Sequence, residues 1–209
     1  MKIQAKNDFT IPYLSNDTLV KEANNFLALY NRNNTTPVPI EHIAEYGLNI
    51  TITPTKGLMQ LWGIDAFINS ELNTIYIDYN TYLNQEDRTR FTIAHEIAHK
   101  VLHKDFYEKL EIDNEKSYLN FQDNGNIKMK KRMEYQAYFF AGYLVLPQNV
   151  FNLRFEALLK TLAVIDVDDL SQIMHILSEE FGVSGECLQK QIEREYPDLI
   201  KSIIDSRSN

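Results

Sequence analysis

The chain has 209 residues, enough for one well-cored domain with room for a small subdomain, and its composition is that of an ordinary globular protein. A formal net charge of -8 argues against a general nucleic-acid binder, which needs clustered lysine and arginine to meet phosphates. The single cysteine, Cys187, excludes an intramolecular disulfide and a cysteine-based zinc site, and no run approaches the ~20 apolar residues of a membrane span or a signal peptide's apolar core, so a soluble cytoplasmic protein is expected.

Residues 16–31, NDTLVKEANNFLALYN, set Leu19, Ala23, Phe26, Leu27 and Tyr30 at helical spacing behind an Asn/Asp start and predict an amphipathic helix, ended by NRNNTTP. PIEHIAEYG (39–47) predicts a short second helix, with Pro39 near its start and Gly47 past its end. The period then becomes two. LNITITP, LWGIDAFIN and NTIYIDY read as strands, the last two joined in a hairpin by Ser70–Asn73.

From Asn84 to Leu102 the pattern is helical again. The polar stretch after it, within 104–127, is long enough for a functional loop or lid, and its structure is not legible. Residues 129–146 form a very apolar helix stopped by Pro147. At its start Lys128, Lys130, Lys131 and Arg132 read as a solvated edge, not a binding patch. Three helices are expected in the last sixty or so residues, with breaks at Asp166–Asp169, Phe181–Ser184 and Tyr196–Pro197.

The stretch HEIAHKVLH (95–103) holds three of the five histidines. Residues i and i+4 of a helix lie one turn apart and ~40° around the axis, so His95 and His99 can bind one metal ion from a single face. Glu96, one position on, suits the general base that takes a proton from water and passes it to the leaving amine. Phe91, Ala94, Ala98 and Leu102 line one side of this helix and Ile93, Ile97 and Val101 another, leaving Thr92, Glu96, Lys100 and His103 as a polar strip. Such a helix is largely buried, and buried imidazoles need partners. His103 lies ~12 Å from His95 along the axis, too far for a shared ion, and is expected to hydrogen-bond near the helix end.

A third ligand is expected in RMEYQAYFFAGYLVLP, where Glu134 is the only charged residue between Met133 and Leu146. An unpaired carboxylate there is costly, and the histidine pair makes a metal the economical partner; pairing with Arg132 or a lysine is the alternative. Ala137, Ala141 and Gly142 on this helix, with Ala94 and Ala98 on the other, would let the two backbones approach. Two histidines and a glutamate with an open fourth position form a catalytic zinc site.

With RFTIAHEIAHKVLH (90–103), E-x-x-A-x-x-F-A-x-x-L-x-x-P (134–147), FGVS (181–184) and the hairpin ending in NTIYID, the sequence resembles the ImmA/IrrE metallopeptidases over roughly residues 17–195. The resemblance implies an α+β, compact zincin-like domain: a sheet of about three strands, roughly six or seven helices, and the HExxH helix at its centre. It implies a cytoplasmic zinc endopeptidase with ligands His95, His99 and Glu134 and base Glu96, cleaving a helix-turn-helix repressor under stress or in a mobile-element response. The chain has no room for its own helix-turn-helix before the first core helix, so repressor recognition falls to a separate partner and direct nucleic-acid contact is not expected. Residues 1–15 are expected to be an N-terminal extension, 16–147 the zincin-like core and 148–209 a helical C-terminal subdomain.

Substrate backbone is expected to add to the edge of the small sheet. Tyr138 and His175 are possible oxyanion electrophiles, each better read as structural. Two other functions compete: a zinc-containing module that binds a regulator without cutting it, and a less specific peptide hydrolase.

Overall fold

The structure, a computed structural model, describes residues 10–124, 126–161 and 167–207. Helix α1 (Asn16–Tyr30) starts where Ser15 Oγ accepts from the Thr18 N–H at 3.2 Å, and it buries Leu19, Ala23, Phe26 and Leu27. Tyr30, expected in the core, is partly exposed. The second helix is α2 (Ile40–His42) continued by a π-helical turn, Ile43–Gly47, in which the Leu48 N–H reaches the Ile43 carbonyl.

Strands β1 (Thr51–Thr55), β2 (Ala66–Ile68) and β3 (Thr74–Asp78) form one sheet in the order β1-β3-β2, with β1 parallel and β2 antiparallel to β3. The hairpin is where the sequence places it. Leu72 takes a φ of 57° in its turn, and Asn69 Oδ1 accepts from the Asn73 and Thr74 N–H groups. Strand β2 is shorter than expected, because Leu61 and Trp62 belong to α3 (Leu58–Trp62). Gly57 and Gly63, at φ 76° and 66°, bracket that helix in left-handed conformations and break the alternation.

Asp78 ends β3 and caps α4 (Tyr79–Asn84), accepting from the Asn80 and Thr81 N–H groups, while its other oxygen holds the Met59 N–H of α3 at 2.9 Å. Helix α5 (Glu86–Leu102) carries Glu86 and Asp87 in its first turn, where negative charge complements the helix dipole. It is the centre of the fold, packed between β2 and α8 (Ile127–Val145). Ile93, Ala94, Ile97 and Ala98 meet Ala137 and Ala141 there, all fully buried. Each buried isoleucine contributes about 1.5–3 kcal/mol over leaving it exposed. Gly142 serves a different contact from the one expected: a Cβ there would lie 3.4 Å from Arg194, on α11 (Gly185–Glu195).

Half of the polar strip of α5 is turned inward. Glu96 and His103 are buried, and Lys100 Nζ donates to the Leu72 carbonyl at 2.6 Å, stapling the hairpin to the helix. The segment after α5 forms α6 (Lys104–Tyr107) and α7 (Glu115–Asn124). Ser70 anchors it through Ile112: its N–H donates to the Ile112 carbonyl at 2.9 Å, and its Oγ accepts from the Ile112 N–H at 2.7 Å. Two members of the basic cluster act internally: Lys130 donates to the Gln122 carbonyl and Arg132 to the Ile11 carbonyl.

After α8 come α9 (Gln148–Leu159), α10 (Val167–Phe181), α11 and α12 (Pro197–Arg207), four helices where three were expected. Breaks fall at Gly182–Ser184 and Tyr196, as the sequence suggests; of the break expected at Asp166–Asp169, Val167, Asp168 and Asp169 instead form the first turn of α10, while Asp166 and residues 1–9 of the expected N-terminal extension lie outside the described residues. The FGVS break has a physical role. Gly182, at φ 58°, turns its carbonyl toward Arg90 of α5, and Ser184 Oγ then accepts from the Cys187 N–H to start α11.

The class is α+β, with twelve α-helices among the described residues against the six or seven expected. The surplus includes α3, α4 and α6, of four to six residues each, too short to show a helical period. None of the described helices is long and apolar enough to cross a membrane.

Candidate active site

The helical turn that separates His95 from His99 brings their Nε2 atoms to 3.2 Å on the face of α5 turned toward α8. Glu134, in the second turn of α8, puts Oε2 3.0 Å from His95 Nε2 and 3.9 Å from His99 Nε2. Its side chain is 39% exposed, so it sits at the floor of an open cleft and not in the sealed core that its apolar helix suggested. Arg132, the alternative partner, points to Ile11 instead.

These three donors fit a divalent ion. A tetrahedral ion with bonds of about 2.0–2.1 Å holds its ligand atoms roughly 3.3–3.4 Å apart, and the observed separations of 3.0, 3.2 and 3.9 Å need only small adjustments to match. Imidazole nitrogen and carboxylate oxygen suit zinc and several other divalent metals.

Glu96 is buried beside this cluster. Its Oε2 accepts from the Ile68 N–H of β2 at 2.9 Å. Burial pushes its carboxyl up to about 7; the Glu134 charge adds to this, and His95 with the Ile68 N–H pulls the other way. At His95 burial acts to lower the pKa, but the Glu134 hydrogen bond and the charges of Glu96 and Glu134 prevail and raise it above 6.5. His99 is held well below that value by burial, with His95 and His103 adding to the effect. His103 caps α5, buried, with Nδ1 3.1 Å from His99 Nδ1 and Nε2 2.9 Å from Gln136 Oε1, a hydrogen-bonding role near the helix end as the spacing indicates. Burial brings it down to about 4.

A cleft of about 940 Å³ opens over His95, Glu96 and Glu134. Trp62 and Ala66 lie on the sheet side, Tyr118 and Leu119 come from α7, and Tyr138, Glu186 and Cys187 from α8 and α11. The single cysteine, Cys187, borders the cleft, with burial pushing its thiol up to about 12. Tyr138 packs on Phe91 at 5.1 Å under the Lys190 ammonium, and His175 is exposed on α10.

Three participants were missed from the sequence. Tyr118 lay in the illegible segment, and the Ile68 N–H is a backbone group with no side-chain signature. Gln136 carried a readable signal, an amide two residues from Glu134 in an otherwise apolar helix. All three contact or border the cluster.

Two helix-borne imidazoles, a carboxylate from a second helix and a further buried carboxyl at the floor of a cleft make a metallopeptidase-like centre. The chain belongs to the Peptidase_M78 family, whose model, described as the IrrE N-terminal-like domain, matches residues 45–193. That span runs from the π-helical turn through the sheet, α5 and α8 into α11. No curated protein matches the chain.

Proposed function

We infer that the protein is a zinc-dependent endopeptidase in which His95, His99 and Glu134 hold the ion and Glu96 is the general base. The observation that carries this reading is the convergence of three ligand atoms beside a second carboxyl, Glu96, that is not needed to hold an ion. A purely structural site has no use for it. A divalent ion held there supplies Lewis acidity toward a peptide carbonyl and lowers the pKa of a water molecule toward ~7.

Glu96 moves the proton. With Oε2 tied to the Ile68 N–H, its Oε1 is free to take a proton from the attacking water and return it to the amine nitrogen as the C–N bond breaks. Substrate backbone adds to β2, an edge strand whose inner side pairs with β3. The outward Ile68 amide is taken by Glu96; Ala66, two residues earlier with the same orientation, turns its N–H and C=O to the cleft.

The oxyanion donor in this reading is Tyr118, in preference to Tyr138 or His175. Its ring stacks on Phe67 of β2 at 5.0 Å, and its oxygen accepts from Gln122 Nε2 at 2.9 Å, leaving its own proton to donate. Burial, with the charges of Glu96 and Glu134, keeps the phenol protonated.

The substrate we favour is a helix-turn-helix repressor met in the cytoplasm, as the family resemblance suggests, with no direct nucleic-acid contact by this chain. The test incubates zinc-loaded protein with the repressor encoded nearest its gene and reads products by intact mass. A defined cut by the native protein, absent with Glu96→Gln, supports the reading. Stable binding without a cut favours the regulator-binding module, and cleavage of unfolded casein with no partner favours a less specific hydrolase.

A further inference from the structure

Behind the three ligand atoms runs a line of hydrogen bonds that ends on main chain. His99 Nδ1 lies 3.1 Å from His103 Nδ1, His103 Nε2 lies 2.9 Å from Gln136 Oε1, and Gln136 Nε2 donates to the Pro12 carbonyl at 2.9 Å. The three side chains are at most 2% exposed.

The proton positions follow from the far end. A carbonyl only accepts, so the Gln136 amide nitrogen faces Pro12 and its oxygen faces His103. That oxygen also only accepts, so His103 Nε2 carries the proton. A buried imidazole with no carboxylate in hydrogen-bond contact is neutral and has a single N–H. His103 Nδ1 is therefore bare and accepts from His99 Nδ1–H. The one proton of His99 is fixed on Nδ1, and its Nε2 lone pair points to where His95 Nε2 and Glu134 Oε2 converge.

The far end is itself held. Ile11 is buried in the core, and its carbonyl accepts from Arg132 Nη1 at 2.8 Å, so consecutive carbonyls at Ile11 and Pro12 are bound by side chains one turn apart on α8. The same helix supplies Glu134.

We propose that His103 and Gln136 are positioning residues for metal binding, setting the tautomer and ring orientation of His99 in a relay whose direction the Pro12 carbonyl dictates. The proposal rests on the metallopeptidase reading and makes the segment before α1 part of the site. Partners behind a ligating histidine typically contribute about 10–100-fold in metal affinity.

The test uses Co²⁺ as probe on the full chain, with affinity from chelator competition and geometry from the visible ligand-field bands. His103→Phe, which keeps the bulk and removes the acceptor, is expected to bind Co²⁺ about 10–100-fold more weakly with altered bands. His103→Asn, whose Oδ1 falls near the Nδ1 it replaces, restores much of the affinity. Gln136→Leu loosens binding less than His103→Phe. Long-range ¹⁵N–¹H spectra of the metal-free native protein should show His99 as the Nδ1–H tautomer, a signature that a merely space-filling His103 would not fix.

Unchanged affinity and bands in His103→Phe, or His99 found as the Nε2–H tautomer, overturns the relay while leaving the metal site intact. If His103→Phe does not fold, His103→Asn and Gln136→Leu decide: a relay requires the asparagine variant to bind more tightly than any variant lacking an acceptor at 103, His103→Leu included. A native chain that binds no Co²⁺ sinks the metallopeptidase reading, and this proposal with it.

Discussion

The Ile68 N–H on the outer edge of β2 donates to Glu96 Oε2 at 2.9 Å, joining the sheet to the acid beside the histidine pair. One bond fixes both the strand on which substrate is proposed to lie and the carboxyl proposed to work on it. The proposed base is therefore oriented by backbone and not by a side chain that could drift.

Glu96→Gln keeps an acceptor for the Ile68 N–H and removes the proton carrier. Folding and metal content should match the native protein, while peptide cleavage falls by at least about 10²–10⁴-fold. Stopped assays on matched zinc-loaded samples check this, and full activity in the variant contradicts Glu96 as base.

Tyr118→Phe keeps the ring stacked on Phe67 and deletes the hydroxyl. Its kcat should fall about 10²–10³-fold with KM little changed, since the donor matters when charge develops on the carbonyl oxygen. Tyr138→Phe, on the opposite wall, should cost far less. Steady-state kinetics on one substrate separates the two.

Asp78 links α3, β3 and α4 through three backbone N–H groups. Burial alone would raise its pKa, but the bonds from Met59, Thr81 and Asn80 outweigh it and the pKa lies below 3.8. A folded pKa below the unfolded one means the added stability is complete above the unfolded value and is lost as pH falls through the folded one. Asp78→Ala should cost about 0.5–2 kcal/mol at neutral pH, and its deficit should shrink as pH drops below 3.8. Urea unfolding at neutral and acid pH measures the closing gap.

At Gly182 the left-handed backbone and the Arg90 guanidinium leave no place for a side chain. Gly182→Ala should lower stability by about 2–3 kcal/mol, from backbone strain and a displaced hydrogen bond that ties α5 to the turn before α11. Thermal unfolding reads the loss directly.

What the sequence made legible was set by local periodicity and by residues out of keeping with their surroundings. His95 and His99 share a face because of helical geometry alone, and Glu134 stood out as a charge in an apolar helix. The hairpin showed through alternation and its polar turn. Tyr118 could not be found, because α7 has no fully buried face and is placed by long-range ties such as the stacking of Tyr118 on Phe67. Leu61 and Trp62 read as strand because two left-handed glycines, not periodicity, make the turn into α3. Pro12 gave no signal, since its part is played by a carbonyl oxygen.

The central claim is that His95, His99 and Glu134 hold one catalytic ion. Elemental analysis of the native protein beside Glu134→Ala, both purified and supplied with zinc, tests it most directly. The account predicts about one zinc per native chain and a clear loss in the variant. Native protein that is folded yet takes up no metal, or a variant that binds as well as the native chain, would contradict it.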